Sequence, residues 1–136
     1  MKKTYLFTPI LFILNFILTS CLDMSEQQIV GPYLVADDPA GYDKTLYYFI
    51  SEGPDTSRGI DAERIHGVSK VGYTADFIFA KRDDGFYQYI IRAQDFASDI
   101  GDPAVRSAMS TPLSEKQFQR VLDSLAIPAV EFQWQK

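Results

Sequence analysis

Four pairs of acidic residues carry the side chains of this chain that are best suited to bind an ion or to perform acid–base chemistry. Neighbouring carboxylates can bind calcium, which takes several oxygen ligands, or can serve as the acid and base of a glycosidase. None of the pairs fits the Asp-x-Asp-x-Asp-Gly pattern of a calcium loop. Three of the four fall at predicted turns, where Asp is favoured because its side chain bonds to nearby backbone. We therefore predict a turn-forming role for them. The pairs are Asp37 with Asp38, Asp61 with Glu63, Asp83 with Asp84, and Asp99 with Asp102.

His66 is the single histidine, and it could act as a general base or a metal ligand. A lone histidine without cysteine partners cannot form the usual zinc ligand sets. The chain also has no Gly-x-Ser-x-Gly elbow and no phosphate-binding loop, because Gly53, Gly59 and Gly67 lack the required spacing and lysine. We predict an exposed or half-buried strand histidine, no catalytic residue, no metal site, no cofactor, and hence a protein that is not an enzyme.

The only cysteine, Cys21, follows a segment with the features of an export signal. Lys2 and Lys3 precede an apolar stretch over residues 6–18, which is short for a membrane-spanning helix. The tetrapeptide LTSC at residues 18–21 resembles the lipobox of bacterial lipoproteins, in which the cysteine is lipidated and becomes the new N-terminus. The alternative is an ordinary signal peptide or an N-terminal anchor helix.

The lipobox resemblance implies a division of the chain into three parts. Residues 1–20 would be the lipoprotein signal peptide, residues 21–28 a lipidated tether, and residues 29–136 a single domain. Removing residues 1–20 takes away two lysines and no acids, so the formal charge changes from −5 to −7. A net negative surface argues against nucleic acid as a partner. The expected location is the bacterial cell envelope, with the protein anchored to a membrane through lipid on Cys21.

Residues 68–92 form the clearest structural unit, and their alternating apolar residues predict three strands joined by two turns. The second turn contains Gly85. A two-residue turn would pair Ala80 with Tyr89, whereas a three-residue loop with Gly85 in the left-handed conformation would pair Phe79 with Tyr89. We favour the three-residue loop because it places four large apolar side chains on one face. These side chains belong to Phe77, Phe79, Tyr89 and Ile91.

The segments on either side of this meander provide its cover. Residues 29–35 and 46–51 are strand candidates, and Pro32 predicts an edge position or a bulge for the first of them. A short helix is expected over residues 103–109, and a longer one begins at a capping box of Ser114 with Gln117. The remaining predicted elements place Phe118, Val121, Leu122 and Leu125 on one helix face, and Val130, Phe132 and Trp134 on one side of a strand over residues 129–135.

These elements predict an α+β fold. It consists of a mostly antiparallel β-sheet meander with one C-terminal helix packed on one face and a final strand. Because only one face of the sheet is assigned a helix, the aromatic residues Tyr47, Phe49, Phe86 and Tyr87 could form an exposed interaction surface on the other. The alternative is that loops bury these rings in a core, and the sequence leaves the two possibilities evenly balanced.

Several segments together resemble an uncharacterised group of small bacterial lipoproteins, built as a short β-meander followed by a helix. The resemblance implies no catalytic residues. It rests on the lipobox and on GPYL at 31–34, VSKVGY at 68–73, FIFAK at 77–81, YII at 89–91 and TPLSEKQF at 111–118.

The expected function is a non-enzymatic, membrane-anchored binding module of the cell envelope. Its partner would be a protein or another envelope component. One specialised form would be protection against a toxin, in which a small acidic domain covers a basic partner. The alternative is a small envelope hydrolase that uses carboxylates.

Overall fold

The computed structural model describes residues 26–41, 43–50 and 60–136. These residues form two four-stranded antiparallel sheets, with strand orders β1-β2-β3-β4 and β7-β6-β5-β8, and two helices. The predicted α+β class is therefore confirmed. The strands are β1 Gln27–Val30, β2 Tyr33–Asp37, β3 Lys44–Ile50, β4 Ile60–Ile65, β5 Val68–Tyr73, β6 Phe77–Arg82, β7 Tyr87–Ile91 and β8 Trp134–Gln135, and the helices are α1 Pro103–Ser107 and α2 Glu115–Ser124.

The hairpin between β6 and β7 has the register that the apolar pattern favours. Phe79 lies opposite Tyr89, and Phe77 lies opposite Ile91. Gly85 has φ of +87°, and its amide donates a hydrogen bond to the carbonyl of Arg82. The register and the positive φ of Gly85 together confirm the three-residue loop. Glycine takes this left-handed conformation at little cost.

The first strand candidate is divided in two, which corrects the prediction of one strand over residues 29–35. Gly31 and Pro32 form a turn between β1 and β2, with Gly31 at φ of +53°. The missing amide proton of Pro32 costs nothing in a turn, and its carbonyl accepts a hydrogen bond from the amide of Phe49. The break adds a strand to the edge of the first sheet.

The segment before the meander belongs to the first sheet. β4 pairs with β3 in the first sheet, so it does not extend the meander. His66 and Gly67 form the bend that leads into β5, and Gly67 has φ of +62°. The prediction that His66 lies in a strand is therefore wrong.

A hydrophobic core lies where side chains from both sheets meet. Strands β2, β3 and β4 supply one side of it, and β5, β6, β7 and β8 supply the other. Along β6, the even-numbered residues Ile78 and Ala80 face this core, and the odd-numbered residues Phe77 and Phe79 face the opposite side. This alternation is the two-residue period of a strand. The buried members are Tyr33, Val35, Leu46, Ile65, Val68, Val71, Ile78, Ala80, Ile90 and Trp134.

The helix α2 packs on the other face of the second sheet, as predicted. Its N-terminus has both hydrogen bonds of the capping box between Ser114 and Gln117. The ring of Phe118 stacks on that of Tyr87 with 4.4 Å between centroids, and Leu122 is buried beside them. This second cluster shows why β6 and β7 carry large aromatic residues on this face.

The chain after α2 crosses between the two clusters. Only Trp134–Gln135 is a strand, so the prediction of a strand over residues 129–135 is wrong in its extent. Val130 and Phe132 pack against the cluster beneath α2, whereas Trp134 lies in the core between the sheets. A Cβ atom at Gly72 would collide with the carbonyl oxygen of Glu131, so this crossing depends on glycine in β5.

Candidate functional site

The predicted lipid attachment site lies outside the described residues. Cys21 and residues 1–20 belong to the part of the chain for which no structure is given, so the lipobox stays a prediction. Within the described ranges, no helix has the length and apolar character needed to cross a membrane.

The predicted aromatic surface is not present as one exposed row. Tyr47 lies on β3 of the first sheet and is buried, whereas Tyr87 lies on β7 of the second sheet and is buried beneath α2. Phe49 is 39% exposed. The prediction assumed a single sheet with one uncovered face, but the chain forms two sheets, and the register of β7 turns Tyr87 toward the helix. Tyr47, Phe49 and Tyr87 therefore do not share a surface.

A buried ion pair links the first sheet to the segment after β7. The side chains of Arg64 and Asp95 are both fully buried, and Nε of Arg64 lies 2.9 Å from Oδ2 of Asp95. The hydroxyl of Tyr33 donates to the same carboxylate oxygen at 2.8 Å. Nη2 of Arg64 donates to the backbone carbonyls of Phe96 and Ser98, each at 3.0 Å. The network is well partnered, which indicates a structural role.

The environment of Tyr33 follows from this network. Burial raises the pKa of its phenol, and the nearby charge of Asp95 and the hydrogen bond to it raise that pKa further. The neutral phenol is therefore the form that the folded protein holds.

A bulge in β4 places two consecutive side chains on the same side of the strand. Leu46 of β3 lies opposite Ile65, but the next residue, Tyr47, lies opposite Glu63, so Arg64 is an extra residue in β4. Such a bulge resets the alternation of a strand. Arg64 and Ile65 consequently both point into the protein, and Glu63 lies on the same outer face as Tyr47.

On this outer face, Glu63 meets two side chains from other elements. Nε2 of His66 lies 3.0 Å from Oε2 of Glu63, and Nδ1 of His66 lies 3.6 Å from Oδ2 of Asp38. The hydroxyl of Thr45, which is fully buried on β3, lies 3.2 Å from Nδ1 of His66. We call Asp38, Glu63 and His66 the His66 cluster. Its ligand atoms, one from each residue, all lie within 4.8 Å of one another.

Tyr47 borders the His66 cluster. Its phenol oxygen is buried and has no hydrogen-bond partner among the described residues. Burial raises the pKa of the Tyr47 phenol, and the carboxylates of Asp38 and Glu63 raise it further, whereas the side chain of Thr45 lowers it. The phenol therefore lies in the electric field of the cluster but makes no bond of good geometry with it.

A shallow cleft of about 220 Å³ adjoins the cluster on the side of the second sheet. The amide of Asp83 donates to the carbonyl of Gly67 at 2.7 Å, which ties the bend after β4 to the β6–β7 loop. The cleft is therefore built on two backbone turns held together. It is lined by Asp43, His66, Gly67, Arg82, Asp83 and Asp84.

Most of the acidic pairs have local structural partners, which supports the turn-forming interpretation. Ion pairs join Asp37 to Lys44 at 2.7 Å, Asp84 to Arg82 at 2.7 Å, and Asp83 to Lys136 at 3.2 Å. In the last pair of acids, Asp102 caps α1 by accepting a hydrogen bond from the amide of Ala104, and Asp99 accepts one from the amide of Gly101. Asp38 also accepts a hydrogen bond from the amide of Ala40 through Oδ1, but its Oδ2 and the carboxylate of Glu63 converge on His66.

Sequence reasoning singled out Asp38, Glu63 and His66 separately but did not bring them together. Glu63 and His66 are three residues apart, and their convergence requires the bend at Gly67. Asp38 reaches them only because β2, β3 and β4 are neighbours in one sheet. The spacing of Glu63 and His66 was the one local signal available.

A second depression lies beside α2. It has a volume of about 200 Å³ between the helix and the segment that follows it. Its lining includes the aromatic rings of Tyr87, Phe118 and Phe132, with Glu115 and Gln119 at the helix N-terminal side. The ionisable groups in its lining are the carboxylate of Glu115 and the phenol of Tyr87.

No family model matches this chain, and neither the search of curated proteins nor that of solved structures found a similar protein. The resemblance to small uncharacterised lipoproteins therefore stays a prediction based on the segments that carry it.

Proposed function

We propose that the protein is a lipid-anchored lipoprotein of the bacterial cell envelope whose folded domain binds another envelope component. The observation that carries the proposal is the tetrapeptide LTSC at residues 18–21, placed after Lys2, Lys3 and an apolar stretch. Position, flanking residues and residue types all agree with a lipidation signal. Each lipid methylene that enters the membrane contributes about 0.8 kcal/mol to anchoring, so several acyl chains hold a protein firmly.

The anchoring part of the proposal is tested by substitution of the cysteine. Cys21→Ser should abolish incorporation of a labelled fatty acid and should stop lipoprotein-type processing, because no other thiol is present. Ser25→Ala, outside the tetrapeptide, is the matched control and should be labelled like the parent. Intact-mass spectrometry that finds an unmodified Cys21 in the processed wild-type protein would refute the anchor.

The binding part of the proposal rests on surface charge. The chain that follows the signal would carry a formal charge of −7, which favours a basic or neutral partner and faster association at low salt. In-cell crosslinking followed by purification in detergent identifies the partner, and titration of the purified pair at two salt concentrations tests the charge effect. Affinity that is unchanged or higher at high salt would contradict it.

The hydrolase alternative is tested on the same protein. The carboxylates of Asp37, Asp83 and Asp84 form ion pairs with lysine or arginine side chains, whereas Asp38 and Glu63 contact His66. Envelope glycan is incubated with the wild type and with four variants. In each variant both acids of one pair are replaced by the corresponding amide, Asn for Asp and Gln for Glu. Cleavage by the wild type that one pair of substitutions abolishes would favour the hydrolase and overturn the proposal.

A further inference from the structure

The His66 cluster has the composition of a transition-metal site. It combines one imidazole with two carboxylates, and it joins the segment after β2 to β4 and the bend that follows. Zinc binds such nitrogen and oxygen ligands at about 2 Å. With the three ligand atoms within 4.8 Å of one another, small rotations of the exposed side chains of Glu63 and His66 would let one ion contact all three.

The two ring nitrogens of His66 have different neighbours. Nδ1 lies 3.2 Å from the hydroxyl of Thr45, and Nε2 lies 3.0 Å from the carboxylate of Glu63. With a cation between Nε2 and Glu63, the proton of the neutral ring is on Nδ1 and is donated to Thr45. Outer-shell partners of metal-bound histidines commonly orient the ring in this way through the other nitrogen.

Tyr47 supplies an independent observation that points to a ligand. It lies directly opposite Glu63 in the β3–β4 pair and is only 4% exposed. Its phenol oxygen is buried without a partner among the described residues. Buried hydroxyls are nearly always hydrogen-bonded, so this one indicates that an acceptor arrives with a bound group. A water on a metal ion, or the Asp38 carboxylate turned by the ion, would provide that acceptor.

The local charges fit a divalent ion. Asp38 and Glu63 contribute two negative charges, and among the described residues the only basic side chain that contacts them is His66. The neighbouring acids Asp37, Asp83 and Asp84 each pair with a lysine or arginine instead. Imidazole as a ligand selects zinc and related transition metals, whereas calcium takes oxygen ligands alone.

We propose that Asp38, Glu63 and His66 bind a divalent transition-metal ion of the zinc class, with Thr45 orienting the imidazole and Tyr47 hydrogen-bonded to a group held by the ion. The cleft of about 220 Å³ beside His66 leaves room for a water as a further ligand. The proposal departs from the expectation that the chain has no metal site, which rested on a lone histidine without cysteine partners.

The test is calorimetric titration of the full chain with zinc chloride. The protein is purified in detergent and without a histidine tag, because such a tag binds zinc itself. We expect one ion per chain. Thr45→Val keeps the shape of the side chain but removes the hydroxyl, and it should weaken binding by about 10–100-fold, as loss of an outer-shell partner does. His66→Gln and Glu63→Gln, which remove ligands, should weaken binding at least as much.

Asp83→Asn is the matched control, because Asp83 lines the same cleft but pairs with Lys136. It should leave the zinc affinity unchanged. If it weakens binding as much as Glu63→Gln, the ion is held by general charge and the proposal fails. The proposal also fails if the wild type binds no zinc, or if His66→Gln binds it equally well.

A spectroscopic measurement tests the coordination directly. Cobalt substituted for zinc absorbs visible light with an intensity that depends on its ligands and geometry. The wild type loaded with cobalt should show bands that His66→Gln lacks. Calcium offered alone should compete weakly, and calcium that displaces cobalt at equal concentration would overturn the assignment to the zinc class.

Discussion

Glu63 and Arg64 are consecutive residues of β4, yet one side chain is partly exposed and the other is fully buried. The Arg64 side chain is fully buried and is bound by Asp95 and by backbone carbonyls. The Glu63 side chain is 44% exposed, and its ionic contact is with His66. They lie on opposite faces of one sheet, as consecutive residues of a strand do.

The ion-pair network of Arg64 and the His66 cluster differ in whether their charges are fully partnered. This difference separates a structural role from a site that can bind a ligand. A buried charge must be fully partnered, because an unpaired ion in the interior is strongly unfavourable. Around Arg64 this requirement is met by the protein itself. The His66 cluster lies partly in solvent, so its carboxylates keep capacity to bind a further ligand.

The largest expected effect is loss of the buried pair. Arg64→Ala leaves Asp95 buried without its counter-charge and removes the contact of the guanidinium with the ring of Tyr48, 5.0 Å from its centroid. We expect a loss of about 3–5 kcal/mol in the free energy of unfolding. Glu63→Ala at the neighbouring position should cost less than about 1 kcal/mol, as is usual for exposed ion pairs. Urea denaturation of both variants measures the two free energies of unfolding. Equal losses in the two variants would contradict the expected difference.

An intermediate effect is expected for Tyr33→Phe, which removes the hydrogen bond to Asp95. A hydrogen bond to a charged group contributes about 1.5–3 kcal/mol, so stability near neutral pH should fall by that amount. The pKa of Tyr33 is raised in the folded protein above its ordinary value of 10.0. Above about pH 10 the unfolded chain therefore releases this proton first, and stability declines as pH rises.

The pH dependence gives Tyr33→Phe a second readout. The variant has no phenol to titrate at this position, so its stability should fall less steeply than that of the wild type between pH 10 and pH 11.5, a range of about 1.5 units above the ordinary tyrosine value. Denaturant titrations at several pH values measure the two slopes. Parallel slopes would show that the folded protein does not hold the neutral phenol.

A smaller effect, and one of opposite sign, is expected for Tyr47→Phe. This phenol is buried without a partner, so its removal relieves an unmet desolvation cost. In the absence of metal we expect a gain of roughly 1 kcal/mol, since burying an unbonded hydroxyl costs on that order. Thermal denaturation in a chelating buffer compares the two Tyr→Phe variants directly. A loss as large as that of Tyr33→Phe would mean that Tyr47 has a partner.

The features that the sequence predicted correctly depend on neighbouring residues. The register of the β6–β7 hairpin follows from Gly85 and the alternation beside it, and the start of α2 follows from Ser114 and Gln117. The short helix expected from residue 103 begins there, after Asp102 as its N-cap. Turn chemistry and helix caps act over a few residues, so one sequence contains what is needed to predict them.

The features that were missed depend on pairing between distant segments. Arg64 and Asp95 are 31 residues apart, and no spacing rule relates them. Tyr47 and Tyr87 belong to different sheets, a division that composition does not reveal. The His66 cluster likewise requires three adjacent strands in their observed order.

The crossing of the C-terminal segment over Gly72 has a consequence for how the chain folds. Trp134 belongs to the core between the sheets, and β8, the last of the described strands, supplies an edge strand beside β5. Until this segment docks, β5 has an open edge and the core lacks an indole ring, and unpaired edges and exposed apolar surface of this kind make a folding chain prone to aggregation.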